Sequence, residues 1–136
     1  MLKQFLYPIT FLPTANLEQS RQFYEKTLQL SLALDQDTCL IFKVGNYGYW
    51  GFCTKLTNIK YPEEICLTLV VGTRGEVDDW HDHLIKENVN VKRPPQYSPI
   101  YKIYNGFYLD PSGYTIEIQA FDKNGRPAGA EVFEEK

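Results

Sequence analysis

The stretch YNGFYLDPSGYTIEIQAF, residues 104–121, decides how the rest of the chain is read. Its pattern is strand, tight turn, strand. In the turn Asp110-Pro111-Ser112-Gly113, proline presets φ and glycine accepts the strained position. The second strand sets one carboxylate, Glu117, in an apolar run between Ile116 and Ile118. Burying a lone carboxylate is costly unless something pairs with it. Alternation puts Glu117 on the face opposite Ile116 and Ile118, together with Thr115 and Gln119. Three roles stay open for Glu117: acceptor for a ligand's donor groups, general base, or partner of a nearby Lys, Arg or tyrosine hydroxyl.

Working outward, the same kind of element order appears twice. The first half opens with a β-rich segment, Phe5 to Thr14, and a helix capped by Asn16, with Gln19 placed to complete a capping box. Leu17, Phe23, Tyr24 and Leu28 recur there at helical spacing. A strand over Leu30 to Leu34 follows, then TCLIFKV and YGYWGFCT joined at Gly45-Asn46, a hairpin signal. The loop KLTNIKYPEE leads into the second half, which opens with the strand ICLTLVV (65–71). The helix EVDDWHDHLIKEN comes next, with Val77, Trp80, His81 and Leu84 on one face. A short strand over Val89 to Lys92, a long loop RPPQYSP and the closing hairpin complete it. The tail DKNGRPAGAEVFEEK reads as mobile or packed on a neighbour.

The order is thus βαβββ twice, with Ile9 and Ile65 opening equivalent strands about 56 residues apart. It predicts an α+β fold in which two βαβββ modules form curved mixed sheets around a cleft, helices outside. At 136 residues the chain fits one domain, 1–136, with modules at about 5–56 and 64–121 and a tail at 122–136.

Composition excludes some functions. A net charge of −3 argues against a nucleic-acid partner. The only basic knot, Lys92-Arg93, carries too few charges to matter. No apolar run approaches the roughly 18 residues of a membrane span, and MLKQFLYPITFLP lacks the pattern of a signal peptide. The odd set Cys39, Cys53 and Cys66 reads as reduced core residues, in keeping with a soluble, cytoplasmic protein. Aromatic side chains make up 15% of the chain, enough for an aromatic pocket or an ordinary β-core.

ITFLPTANLEQSRQFYEKTLQL, with Ser20, Phe23 and Tyr24 on its helix, and FYLDPSGYTIEIQ, ending on Glu117, resemble the glyoxalase/bleomycin-resistance/dioxygenase (vicinal-oxygen-chelate) superfamily over roughly residues 7 to 121. The resemblance implies a cleft that takes a small molecule, and a homodimer. In metal-dependent members, histidines of the first and fifth strands and the glutamate of the last hold a divalent metal. Here Glu117 matches that glutamate. The other positions fall at Ile9, at Ile65 or Cys66, and near Phe52, so Glu117 alone is a secure ligand. His81 and His83 lie two apart on a helix, about 200° from each other, and cannot clamp one ion; His81 borders the sheet and His83 sees solvent.

Carried onto this sequence, the family's cleft-facing positions are Asn105 and Phe107, with Tyr108 facing away. Thr115 and Gln119 share the face of Glu117. Trp50 and Phe52 are the inward pair of the first half, with Tyr47 and Tyr49 opposite, and Ile9 and Phe11 contribute from the first strand. No Lys or Arg falls on these inner positions, so the cleft suits a flat aromatic or amphipathic ligand, including a cationic one. Two functions compete, ahead of a third, a domain that takes no ligand and is held by its partner. One is a small-molecule binding protein without cofactor or metal. The other is an enzyme: a lyase, isomerase or dioxygenase with a divergent divalent-metal site, or a metal-free proton-transfer catalyst using Glu117.

Overall fold

Each half of the chain builds a four-stranded mixed sheet with a helix packed on it. The computed structural model describes residues 1–130, and the chain divides into two compact units, Met1–Lys60 and Tyr61–Lys136. No helix among the described residues is long and apolar enough to cross a membrane.

In the first unit, β1 (Ile9–Pro13) precedes α1 (Leu17–Arg21), which continues as a π-helical turn over Gln22–Thr27. β2 (Ser31–Asp35), β3 (Cys39–Val44) and β4 (Gly48–Cys53) follow, and the sheet order is β1-β4-β3-β2 with β1 parallel to β4. Asn16 caps α1 as expected, its Oδ1 accepting the Gln19 backbone N–H at 3.0 Å. Ser20 is fully buried and shares a hydrogen bond with Thr14 Oγ1 at 2.8 Å, which ties the helix to the end of β1.

The core of this unit is aromatic. Tyr24, with no exposed surface, stacks on Phe52 at 4.2 Å between ring centroids. Phe23, Phe42 and Trp50 stand around it, 5.0, 5.8 and 6.2 Å away. This corrects the expected facing of β4. Trp50 and Phe52 point at the helix, while Tyr49 and Gly51 take the opposite side, in register with Ile9 and Phe11 of β1. The strand carries aromatic side chains at both parities, and the ring of Tyr24 decides between them.

Cys39 and Cys53 stand directly opposite each other on β3 and β4 and are disulfide-bonded. The expectation that both are reduced core thiols is corrected. They are buried, but the strand register makes them partners across a hairpin, 14 positions apart, a relation that their sequence spacing does not announce.

In the second unit a short 3-10 turn, Pro62–Glu64, leads into β5 (Cys66–Val70) and α2 (Arg74–Lys86). β6 (Val91–Ser98), β7 (Ile103–Leu109) and β8 (Thr115–Phe121) complete the order β5-β8-β7-β6, again with the first strand parallel to the last. Thr73 and Glu76 cap α2 with a full capping box. Asp110 organises the closing turn, its Oδ1 accepting from the backbone N–H groups of Ser112 and Tyr114. Gly113 sits at φ +91°, a conformation glycine adopts without strain.

β6 runs through the segment expected to be loop. Pro94 and Pro95 lie inside it, which an edge strand tolerates because its outer side needs no N–H donors. The pairing with β7 slips twice, between Val91 and Arg93 and between Arg93 and Gln96. Of the tail, Asp122 is held in place: its N–H donates to Lys102 O at 2.8 Å, and its carboxylate accepts from Tyr97 and Arg74. The tail's last six residues, 131–136, lie outside the described residues.

α2 packs on β6, β7 and β8. Val77 and Leu84 on the helix are fully buried, as are Tyr108 and Ile116 on the sheet. His81 reaches the sheet as expected, its Nδ1 lying 2.8 Å from the Tyr108 hydroxyl. His83 is half-buried against Trp80, ring to ring at 5.4 Å, and does not simply face water.

Burial pushes the Tyr108 phenol up to about 12, and burial with Asp110 nearby does the same for Tyr114. A raised folded-state pKa gives stability that is whole below the ordinary value near 10 and is lost as pH climbs through about 12. The melting temperature is therefore expected to hold up to about pH 10 and fall steeply between there and about pH 12. Tyr108→Phe costs about 1 kcal/mol at neutral pH through the lost hydrogen bond, and it flattens the alkaline fall. An equally steep fall in that variant would place the sensitivity elsewhere.

Candidate functional site

The face of the second sheet turned away from α2 carries the polar groups. Cross-strand register puts Thr68, Glu117 and Phe107 in one row, and Val70, Gln119 and Asn105 in the next. Cys66, Thr115 and Leu109 form a third. Asn105, Phe107, Thr115, Glu117 and Gln119 thus share one side, as expected, and Tyr108 lies on the other. Ile9 and Phe11 belong to the first unit and share a face with Tyr49 and Gly51. Trp50 and Phe52 do not join them there.

Glu117 is only 7% exposed, and it is not a lone carboxylate. Thr68 Oγ1 donates to its Oε1 at 2.7 Å, and Asn105 Nδ2 donates to its Oε2 at 2.7 Å. The Cys66 thiol makes a longer contact to Oε1, 3.7 Å. Both oxygens are thereby satisfied by neutral donors, which removes the penalty of burying the charge unpaired. A carboxylate offers about four lone-pair directions, so it keeps acceptor capacity. Cys66 is exposed as a residue, yet burial of its sulfur against the sheet pushes the thiol up, and the neighbouring Glu117 adds to the effect. It stands there as a thiol.

Two cations reach this face, contrary to the expectation that none would. Between Val91 and Arg93 the strand uses two residues against one of β7, a bulge that re-aims the side chains beside it. Lys92 Nζ donates to Thr115 Oγ1 at 2.9 Å. Arg93 Nη2 donates to Asn105 Oδ1, and the guanidinium lies over the Phe107 ring, 4.8 Å from its centroid. Asn105 therefore links the two charges, its carbonyl toward Arg93 and its amide nitrogen toward Glu117. Thr68, Arg93 and Lys92 are the participants that sequence reasoning missed. Thr68 was within reach, since it is the polar residue of ICLTLVV and lies two positions from Cys66, on the same face.

The first unit departs from this chemistry at the matching ladder position. Where the second has Thr68 beside Glu117, the first has Phe11 beside Gly51. A Cβ at Gly51 would lie 2.5 Å from the Phe11 ring, so the ring occupies the space a side chain would need. The first-half equivalent of the glutamate is accordingly Gly51, one residue from the expected Phe52. Among the described residues, no three His, Cys, Asp or Glu side chains are grouped to hold a metal ion.

Comparison with solved structures gives the fold independently. A glyoxalase/bleomycin resistance protein/dioxygenase from Nocardioides superposes with a TM-score of 0.74 at 17% identity, covering 96% of this chain and 92% of that one. A glyoxalase-related enzyme from Fulvimarina pelagi gives 0.73 at 18%, covering 96% and 100%. Lactoylglutathione lyase from Agrobacterium tumefaciens gives 0.68 at 18%, covering 82% and 90%. A search of curated proteins finds no match. The family model of the Glyoxalase/Bleomycin resistance protein/Dioxygenase superfamily matches residues 6–118, and with the repeated βαβββ order and the Asp-Pro-Ser-Gly hairpin ending on Glu117 in place, the chain belongs to that superfamily.

Proposed function

We propose that the protein binds a small aromatic or amphipathic organic molecule, without metal, on the Glu117 face of its second sheet. The observation that carries this reading is the buried Glu117 carboxylate, fixed by Thr68 and Asn105 and left with acceptor capacity. The Phe107 ring beside it offers apolar surface. Such a combination, apolar area with a few oriented polar groups, is what small-molecule sites use.

The donor set does not fit a divalent metal. Beside Glu117 stand Thr68 and Asn105, neutral groups that aim hydrogens at it, and among the described residues no set of three His, Cys, Asp or Glu side chains is grouped to hold a cation. Gly51 and Phe11 offer no donor at the matching position of the first unit. The homodimer expected from the resemblance belongs to the same proposal.

Elemental analysis and melting curves before and after EDTA test the first half of the reading: no bound transition metal and an unchanged melting point are expected. About one metal per chain, with a melting point lowered by chelation, would overturn it. A thermal-shift screen of aromatic and amphipathic compounds in EDTA tests the second half. Glu117→Gln keeps the shape of the side chain, and Thr68 can turn its hydroxyl to accept. A hit is expected to bind about tenfold or more weakly to that variant, the worth of a hydrogen bond to a charged group. Unchanged affinity would remove Glu117 from the site.

A further inference from the structure

We propose that Arg93 is the anion anchor of this site and that the ligand is an organic carboxylate which also carries an N–H or O–H donor. The inference rests on the binding reading above and assigns the chemical class of what is bound.

Arg93 is half-buried and makes no ion pair among the described residues. The partners of its guanidinium nitrogens are neutral: Pro94 O accepts from Nη1 at 3.0 Å, and Asn105 Oδ1 accepts from Nη2. A guanidinium has five N–H donors in a planar fork, so most of its donor capacity is unspent. Stacking on Phe107 holds the plane in place, and the bulge in β6 sets its direction. A cation so fixed, with charge and donors to spare, matches a planar carboxylate in two-pronged fashion.

A second observation comes from the neighbouring row. Gln119 is 7% exposed, and its Oε1 is a buried acceptor without a hydrogen-bond partner among the described residues. Gln119 lies directly across from Asn105 on β7, the residue that accepts from Arg93. An unpaired buried carbonyl is a standing cost, which a donor on the ligand relieves. Glu117, one row further, is the second acceptor for such a group. The face therefore offers donors at Arg93 and acceptors at Gln119 and Glu117, a polarity that a neutral hydrocarbon or a simple amine does not match.

The test compares phenylacetate, 4-hydroxyphenylacetate and their uncharged amides by amide chemical-shift perturbation on the full chain in EDTA. The carboxylates are expected to bind saturably with shifts at Arg93, Phe107 and Gln119, and 4-hydroxyphenylacetate more tightly than phenylacetate. Each amide is expected to bind about tenfold more weakly than its acid. Arg93→Gln should abolish that preference and Arg93→Lys should restore part of it, a selectivity that a merely structural arginine would not control. If the amides bind at this face as well as the acids, the carboxylate assignment falls while the binding reading stands. If neither acids nor amides bind, and the broader screen also gives no ligand at this face, both fall.

Discussion

Tyr24→Ala is expected to destabilise the first unit by about 3–5 kcal/mol, the usual cost of truncating a fully buried aromatic side chain. Tyr24 has no exposed surface and stacks nearly parallel on Phe52, with an interplanar angle of 19°, while Phe23 and Trp50 meet it edge-on. Removing the ring leaves a void walled by four aromatic side chains that cannot all close on it. Aromatic pairs of this kind add about 0.5–1.5 kcal/mol each beyond their buried area. Domains of this size have only about 5–15 kcal/mol to lose, so a large part of the stability goes. Trp50 borders the void, and a Trp80→Phe background leaves it as the sole tryptophan reporter during urea unfolding. A loss under about 1 kcal/mol would mean that Tyr24 is not the centre of this core.

Gly106→Ala is expected to cost about 1–3 kcal/mol, the range for overpacking a filled core. A Cβ there would lie 2.7 Å from the Tyr108 hydroxyl oxygen, 3.2 Å from the adjoining ring carbon and 3.3 Å from Pro95 Cδ. Tyr108 cannot swing aside, because it is fully buried and its hydroxyl is bonded to His81. The methyl group must therefore break that bond or shift β6. Chemical denaturation of both single variants and the double variant settles the mechanism. Tyr108→Phe removes the closest clashing atom, so the double variant should lose clearly less than the sum of the two single losses. Strict additivity would show that the strain at Gly106 goes into β6 and not into Tyr108.

What could be read in advance followed from local chemistry. Asn16 and the Asp110-to-Gly113 turn have strong short-range signatures, and alternation placed Thr115, Glu117 and Gln119 on one face because Ile116 and Ile118 fix the other. The reading failed where the local signal was balanced or pointed the wrong way. In YGYWGFCT, Tyr49 competes with Trp50 and Phe52, and only the position of Tyr24 breaks the tie. Pro94-Pro95 argued for a loop, yet an edge strand with bulges accommodates both. That one misreading also hid Lys92 and Arg93, since a pair of charges beside a loop gives no reason to place them near Glu117. The partner that satisfies Glu117 on β5, Thr68, is separated from it by 49 residues and becomes its neighbour only through the parallel pairing of β5 with β8.

The prolines of β6 have a consequence for association between molecules. A free sheet edge is a template on which another chain can add a strand, and that route leads to aggregation. β6 forms one edge of the second sheet, and at Pro94 and Pro95 it has no N–H groups to offer an incoming strand. The two register slips flanking Arg93 break the regular hydrogen-bond spacing on either side. The same kinked, proline-bearing edge that delivers Arg93 to Asn105 and Phe107 thus disfavours the addition of a further strand along β6.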